Sequence, residues 1–158
     1  VSGSDPVRLM SGSPADLNAV MTVMTDSFDP GFGEAWTRAQ CAGILPMSGV
    51  WLILAQAGDR LAGFALGRIV LAEAELLLLA VRRDFQGRGI GKSLLDQFIG
   101  DASSRGAHHL HLEVRDGNHA LKLYSAAGFK HVGTRKNYYC GSDGALFHAL
   151  TLSKVLKN

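Results

Sequence analysis

Cysteine is scarce: the 158 residues include two, Cys41 and Cys140, far apart and outside any CxxC or His/Cys ladder. That spacing excludes a zinc ribbon and a disulfide framework and points to a reducing compartment. Charge of one sign is equally thin. Sixteen Lys and Arg against 14 Asp and Glu leave a formal charge of +2, so no strongly basic face for nucleic acid is expected. No uninterrupted apolar run exceeds six residues, as from Leu76 to Val81, against the roughly 20 a membrane-spanning helix needs. The opening Val1-Ser-Gly-Ser-Asp-Pro lacks a basic patch followed by an apolar stretch. No secretory signal is expected from it, and residues 1–6 read as a loose, processed end. Internal repeats and low-complexity tracts are missing as well. What remains is 47% hydrophobic and 19% charged, a globular composition. The expectation is one cytoplasmic domain that buries roughly two-thirds of its unfolded surface.

Periodicity supplies the elements. Val7 to Met10 reads as a short strand. Ser13 and Pro14 then suit the N-cap and first residue of a helix carrying Leu17, Val20, Met21 and Met24, ended by Asp29-Pro30-Gly31. A second short helix is predicted over Glu34 to Gly43, with Trp36 on it. Val50 to Ala57 and Leu61 to Leu71 form a hairpin about Gly58-Asp59. Glu73 to Val81 is a further strand, predicted to be buried on both faces from Leu76 to Ala80. Ile90, Leu94, Leu95, Phe98, Ile99 and Ala102 share one helical face, and Gly106 fits a C′ glycine. His108 to Arg115 alternates as a strand, with His109, His111 and Glu113 on its polar side. Asn118 to Ala127 is predicted as a helix with Asn118 as its N-cap. Phe129 to Thr134 and Leu146 to Leu152 close the chain as a hairpin. The class is α+β, with a mixed sheet and one parallel crossover.

The most informative segment runs from Val81 through Asp84-Phe85-Gln86-Gly87-Arg88-Gly89-Ile90-Gly91-Lys92-Ser93, between a strand and an amphipathic helix. Glycines let backbone amides approach a ligand, and a helix N-terminus carries about half a positive charge with unpaired N–H groups. The turn is an anion cradle suited to phosphate. Walker A spacing fails, because its first glycine falls on Gln86; a dinucleotide fingerprint begun at Gly87 fails because its last glycine falls on Lys92.

The pattern that fits is Q/R-x-x-G-x-G/A, as Gln86-Gly87-Arg88-Gly89-Ile90-Gly91. With the order strand, loop, amphipathic helix, strand, Asn-led helix and Gly-Phe strand, the chain resembles the GNAT superfamily of acyl-CoA-dependent N-acyltransferases. His111-Leu-Glu113-Val-Arg115-Asp-Gly-Asn118, Leu123-Tyr124-Ser-Ala-Ala-Gly128-Phe129 and Arg135-Lys-Asn137-Tyr138-Tyr139 narrow the likeness. They are similar to the bacterial ribosomal-protein-alanine N-acetyltransferase family over Ala62 to Leu152. The first 50 residues agree only through Trp36.

The resemblance implies a mostly antiparallel sheet of about seven strands with about four helices. It implies acetyl-CoA as cosubstrate, no metal, and a ribosomal protein's N-terminal alanine as acceptor, attacked directly in a ternary complex. Acetyl-CoA is expected at Gln86, Gly87, Arg88, Gly89, Ile90, Gly91 and Lys92, at the backbone of Leu79, Ala80 and Val81, and at Asn118. The Val81 N–H is the expected oxyanion donor. Trp36, Tyr138 and Tyr139 are expected on the acceptor side. No nucleic-acid or membrane partner is implied.

The chemistry stands independently. A protein α-amine, with pKa near ~8, attacks a thioester only after losing a proton. A carboxylate takes that proton and a phenol returns one to the thiolate. By resemblance Glu113 is the general base and Tyr124 the general acid. From the residues alone, Glu113 pairing with Arg115 and Tyr124 packing in the core stay open.

Three other signals are weaker. His109, His111 and Glu113 span about 13 Å along a strand, too far for one ion. Arg82, Arg83 and Arg88 suit the phosphates of coenzyme A, and Cys140 reads as a bystander thiol. One departure stands out: where the family carries an acidic pair after the Asp-Gly turn, this chain has Asp143-Gly144-Ala145-Leu146-Phe147. A free small-molecule amine or another peptide is therefore the alternative acceptor, and a non-catalytic acyl-CoA sensor the more distant alternative.

Overall fold

The structure, a computed structural model, describes residues 5–156. The expected loose start falls mainly on residues 1–4, outside that range; Asp5 and Pro6 are exposed. Seven strands form one sheet in the order β1-β2-β3-β4-β5-β7-β6. They are β1 (Val7–Ser11), β2 (Val50–Ala57), β3 (Arg60–Val70), β4 (Glu73–Val81), β5 (His109–Arg115), β6 (Lys130–Cys140) and β7 (Leu146–Val155). Four helices accompany them: α1 (Leu17–Ser27), α2 (Arg38–Ile44), α3 (Ile90–Ser104) and α4 (Leu121–Ala126). Every strand pair is antiparallel except β4 with β5, which α3 joins as a crossover. This is the mixed α+β sheet that the periodicities predict.

Two cores sandwich the sheet. On one side α3 lays Leu94, Leu95 and Phe98, all fully buried, against Ala62, Ala65, Leu110 and Leu112. Phe98 stacks on Trp51 at 5.4 Å. On the other side α1 and α2 set Val23, Met24, Cys41 and Ile44 on Leu52, Phe64, Leu78 and Ala80. These α1 and α2 contacts fall on β2, β3 and β4, whereas the same face of β5 carries half-buried His111, Glu113 and Arg115.

Several boundaries differ from expectation. Ser13 caps as predicted, in a capping box with Asp16, but over a single 3₁₀ turn that leads into α1. The second helix begins at Arg38, because Thr37 and Gln40 form a reciprocal capping box; Trp36 therefore precedes the helix. Asn118 lies before α4, and its Oδ1 accepts from the Ala120 N–H in the turn ahead of the helix. The sixth strand runs on past Thr134 to Cys140 through an irregularity between Arg135 and Tyr139, where Asn137 takes φ 51°.

The largest correction concerns β4. Its Leu76-to-Ala80 run is not buried on both faces: Leu78 and Ala80 are buried, while Leu77, Leu79 and Val81 are half-buried. Register explains this. Leu66 pairs with Leu78 and Gly67 with Leu76, so Leu77 is the extra residue of a β-bulge. A bulge bends its strand. Beyond it β4 leaves β5, whose pairing covers only Glu73, Glu75 and the residue between them, opposite His109 to His111. The apolar run serves a gap in the sheet as well as the core.

Candidate active site

The gap is a cleft of about 870 Å³, walled by the far half of β4, the end of β5, the turn before α3, α4 and the segment joining α1 to α2. Its first wall is backbone. The Arg82 N–H donates to the Ala62 carbonyl. In an antiparallel ladder, residues alternate between facing and avoiding the partner strand. Ala80, opposite Phe64, therefore spends its backbone groups on β3, while Leu79 and Val81 turn theirs toward the gap. Of the three positions expected to present backbone, Leu79 and Val81 do so and Ala80 does not. The Val81 carbonyl is already held, at 3.0 Å each, by the Ser27 hydroxyl and the Gln86 amide. Gln86 thus braces the loop against its strand.

At the α3 end, Gly87 and Gly89 adopt φ 81° and 78°, a region costly to any residue with a Cβ. Their positive φ turns the chain into the helix. The first bond of α3 is from the Ser93 N–H to the Gly89 carbonyl. Ile90, Gly91 and Lys92 therefore keep amides without intrahelical acceptors, aimed out of the helix end. Gln86, Gly87, Gly89, Ile90 and Gly91 line the cleft, as does Arg83. The side chains of Arg88 and Lys92 do not: Arg88 lies over the Phe85 ring at 4.8 Å, and Lys92 pairs with Asp96 at 2.8 Å. Arg82 pairs with Asp84. Among the described residues no cluster of three or more His, Cys, Asp or Glu is placed to hold a metal.

The opposite wall carries the titratable groups. Glu113 projects from β5 with 12% of its side chain exposed. Its Oε2 accepts from the Thr151 hydroxyl at 2.6 Å, its cross-strand neighbour on β7. Its Oε1 lies 3.0 Å from Nε of Arg135. The expected alternative, pairing with Arg115, does not occur. Arg115 instead meets Glu34 at 3.1 Å, each side chain 11% exposed, and lies 3.7 Å over the Phe32 ring. Glu34 also accepts from Asn118 Nδ2 at 2.6 Å. Glu34, Arg115 and Asn118 so pin the α1–α2 segment over the cleft. The same segment touches the β6–β7 turn, where the Ser142 N–H donates to the Pro30 carbonyl and Phe32 meets Phe147 edge-on at 5.3 Å. Gly33 sits there at φ 71° against the Cys140 carbonyl, with no room for a Cβ.

Tyr124, on α4, lines the cleft and is buried. Burial first, and then the charge of Glu34, push its phenol well above the ordinary 10, so it stays protonated at neutral pH. Tyr139 is shifted upward in the same way, by burial first, and its hydroxyl donates to the Glu113 carbonyl at 3.4 Å. Tyr138 and Tyr139 meet edge-on at 5.0 Å, and both line the cleft with Trp36. Cys140 is not among the lining residues.

Glu113, Tyr124, Asn118, Trp36, Tyr138 and Tyr139 are therefore neighbours around one space, with the amide cradle at its α3 end. Sequence reading missed Ser27, Glu34 and Thr151, offered Arg115 a different partner, and quoted Arg135 in a motif without a role. Glu34 precedes its partner Asn118 by 84 residues, and only the folded sheet joins them.

Comparison with known proteins agrees with this geometry. Over 101 residues the chain is 44% identical to the ribosomal protein bS18-alanine N-acetyltransferase of Salmonella typhimurium, a stretch covering 61% of this chain and 68% of that protein. The crystal structure of the ribosomal-protein-S18-alanine N-acetyltransferase from Escherichia coli superposes with a TM-score of 0.86 at 28% identity, covering 97% of this chain and 96% of that one. Arabidopsis thaliana NAA60 in complex with acetyl-CoA shares the fold, with a TM-score of 0.83 at 19% identity over 97% of this chain and 100% of that one. The acetyltransferase (GNAT) family model matches residues 17–129, the stretch that contains the bulged strand, the glycine turn, Glu113 and Tyr124, and the chain belongs to that family.

Proposed function

We propose that this chain transfers the acetyl group of acetyl-CoA to a protein's N-terminal amine, that of an alanine at the start of a ribosomal protein. The observation that carries the reading is the split between β4 and β5. One cleft holds outward-facing strand groups at Leu79 and Val81, free amides at the start of α3, a carboxylate at Glu113 and a protonated phenol at Tyr124.

The cradle suits a diphosphate: the amides from Gly87 to Lys92 bind it, supported by the positive end of α3 and by Arg83. Leu79 and Val81 receive an amide-bearing arm as an added strand. Acetyl-CoA supplies an acetyl group activated as a thioester. The Val81 N–H, turned toward the gap, polarises its carbonyl. Glu113 accepts a proton from the acceptor ammonium, directly or through one water, leaving the free amine. Nitrogen bonds to the acetyl carbon, the carbon–sulfur bond breaks, and Tyr124 gives its phenolic proton to the departing sulfur. The new amide nitrogen sheds its second proton to water, and Tyr124 is reprotonated from water. Both substrates occupy the cleft together, and no covalent enzyme intermediate is involved. Each proton transfer contributes roughly 100- to 10,000-fold in rate.

The acceptor binds on the side of the cleft lined by Trp36, Tyr138 and Tyr139, beside the place where the α1–α2 segment closes on the β6–β7 turn. The ribosomal acceptor rests on the names of the relatives above, and places the reaction in the cytoplasm. A small free amine is the second reading. It draws on the β6–β7 turn, where Ala145 and an exposed Leu146 stand in place of acids and Asp143 Oδ1 is engaged by the Ala145 N–H.

The test is acetyl transfer from acetyl-CoA to short peptides, followed by mass spectrometry. Peptides beginning with alanine should gain one acetyl group at the N-terminus, and the same peptides with a blocked terminus none. Turnover of polyamines with the peptides untouched would replace this reading by the second.

A further inference from the structure

The carboxylate that faces the acceptor is already occupied by a cation. Arg135 Nε lies 3.0 Å from Glu113 Oε1, while the other oxygen holds the Thr151 hydroxyl at 2.6 Å. The two contacts are unlike. Thr151 stands opposite Glu113 on the neighbouring strand and makes a short hydrogen bond, so it fixes the carboxylate's orientation. Arg135 makes an ion pair without hydrogen-bond alignment, from a side chain that is 61% exposed, at the last regular position of β6 before its irregularity. Its guanidinium also lies 5.5 Å from the Tyr138 ring, on the acceptor wall. It therefore touches the carboxylate and an aromatic face at once, and the aromatic contact is still available when the ion pair opens.

We propose that Arg135 occupies the place of the acceptor's ammonium: it neutralises Glu113 while the acceptor side is empty and yields to the incoming N-terminus. The inference rests on the reading of Glu113 as the group that receives the acceptor amine. An ammonium replaces a guanidinium at Oε1, so no net charge is created or lost in the half-buried site. Thr151 keeps Oε2 throughout, so the carboxylate does not turn. Arg135 moves toward Tyr138 and solvent, a small change for an exposed side chain. An uncharged amine or a blocked terminus cannot make the exchange, so Arg135 selects for a cationic chain end. It is a positioning residue that acts through Glu113.

The experiment measures steady-state transfer to an alanine-initiated peptide by wild type, Arg135→Gln, Arg135→Lys and Glu113→Gln. An exposed ion pair competes only modestly, so Arg135→Gln should lower KM for the peptide roughly two- to fivefold while leaving KM for acetyl-CoA unchanged. Arg135→Lys, which keeps the charge, should return the peptide KM toward wild type. The Gln and Lys variants sit at an exposed position, and the acetyl-CoA KM reports whether the site is intact. A peptide KM that is unchanged or raised in Arg135→Gln overturns the inference. Glu113→Gln separates the two claims: full activity there removes the base assignment itself, whereas lost activity with an unmoved Arg135→Gln removes only the exchange.

Discussion

Replacing Arg115 by Met tests how the cleft is held together. Arg115 and Glu34 are each 11% exposed, and Glu34 has two cationic or polar partners, Arg115 at 3.1 Å and Asn118 at 2.6 Å. Removing one partner of a buried pair costs about 3–5 kcal/mol, because the other charge remains out of water. Here the low end applies, since Asn118 still serves one oxygen and Met can pack on Phe32 in place of the guanidinium. For a domain of this length about 1 kcal/mol moves Tm by roughly 2–4 °C, so Arg115→Met should melt roughly 6–12 °C lower. Adding Glu34→Gln removes the stranded charge, and the double variant should recover part of the loss. Thermal unfolding followed by circular dichroism, with all three proteins in one buffer, measures both effects. An Arg115→Met protein melting within about 2 °C of wild type, or a double variant no better than the single, would refute the view that this pair anchors the α1–α2 segment.

Two further predictions concern other parts of the molecule. Glu75 holds the His111 pKa above its ordinary 6.5, and His111 first, with Arg68 after it, holds Glu75 below its ordinary 4.5. The histidine's contribution is complete below 6.5 and fades as pH rises through its folded value. The carboxylate's is complete above 4.5 and fades as pH falls through its folded value, so His111→Gln should lose most stability relative to wild type between about pH 4.5 and 6.5. A Tm difference that is flat from pH 5 to pH 9 contradicts this. At the glycine turn, a Cβ on Gly89 meets open space, so Gly89→Ala carries only the left-handed backbone cost of about 1–2 kcal/mol. It should melt a few degrees lower and raise KM for acetyl-CoA; a rise in the acceptor KM alone speaks against the cradle.

The glycine turn and α3 were legible because their signals are local: a phosphate-type loop followed by a clean 3.6-residue period. The alternation from His109 to Arg115 likewise put Glu113 on the correct face of β5. The start of α2 was placed too early, at Glu34, because the Thr37-to-Gln40 capping box that opens the helix went unread. The β4 bulge was not. Six apolar residues in a row have no period, and the same run serves a doubly buried strand or one that exposes an edge to a ligand. Nor were the partners of Glu34, Glu113 and Val81 visible. Ser27, at the end of α1, reaches Val81 on β4 across 54 residues, and Thr151 reaches Glu113 across 38 because β7 inserts between β5 and β6. Pairings of that kind come from sheet order, and a single chain read along its length does not display them.

The account turns on Glu113 working at the acceptor end of a cleft whose other end binds the coenzyme. Glu113→Gln keeps the shape and can still accept from Thr151. Acetyl-CoA affinity by titration calorimetry and peptide acetylation should be measured on the same preparation. The predicted result is wild-type affinity with turnover reduced roughly 100- to 10,000-fold. Undiminished turnover, or affinity and turnover falling together, contradicts it.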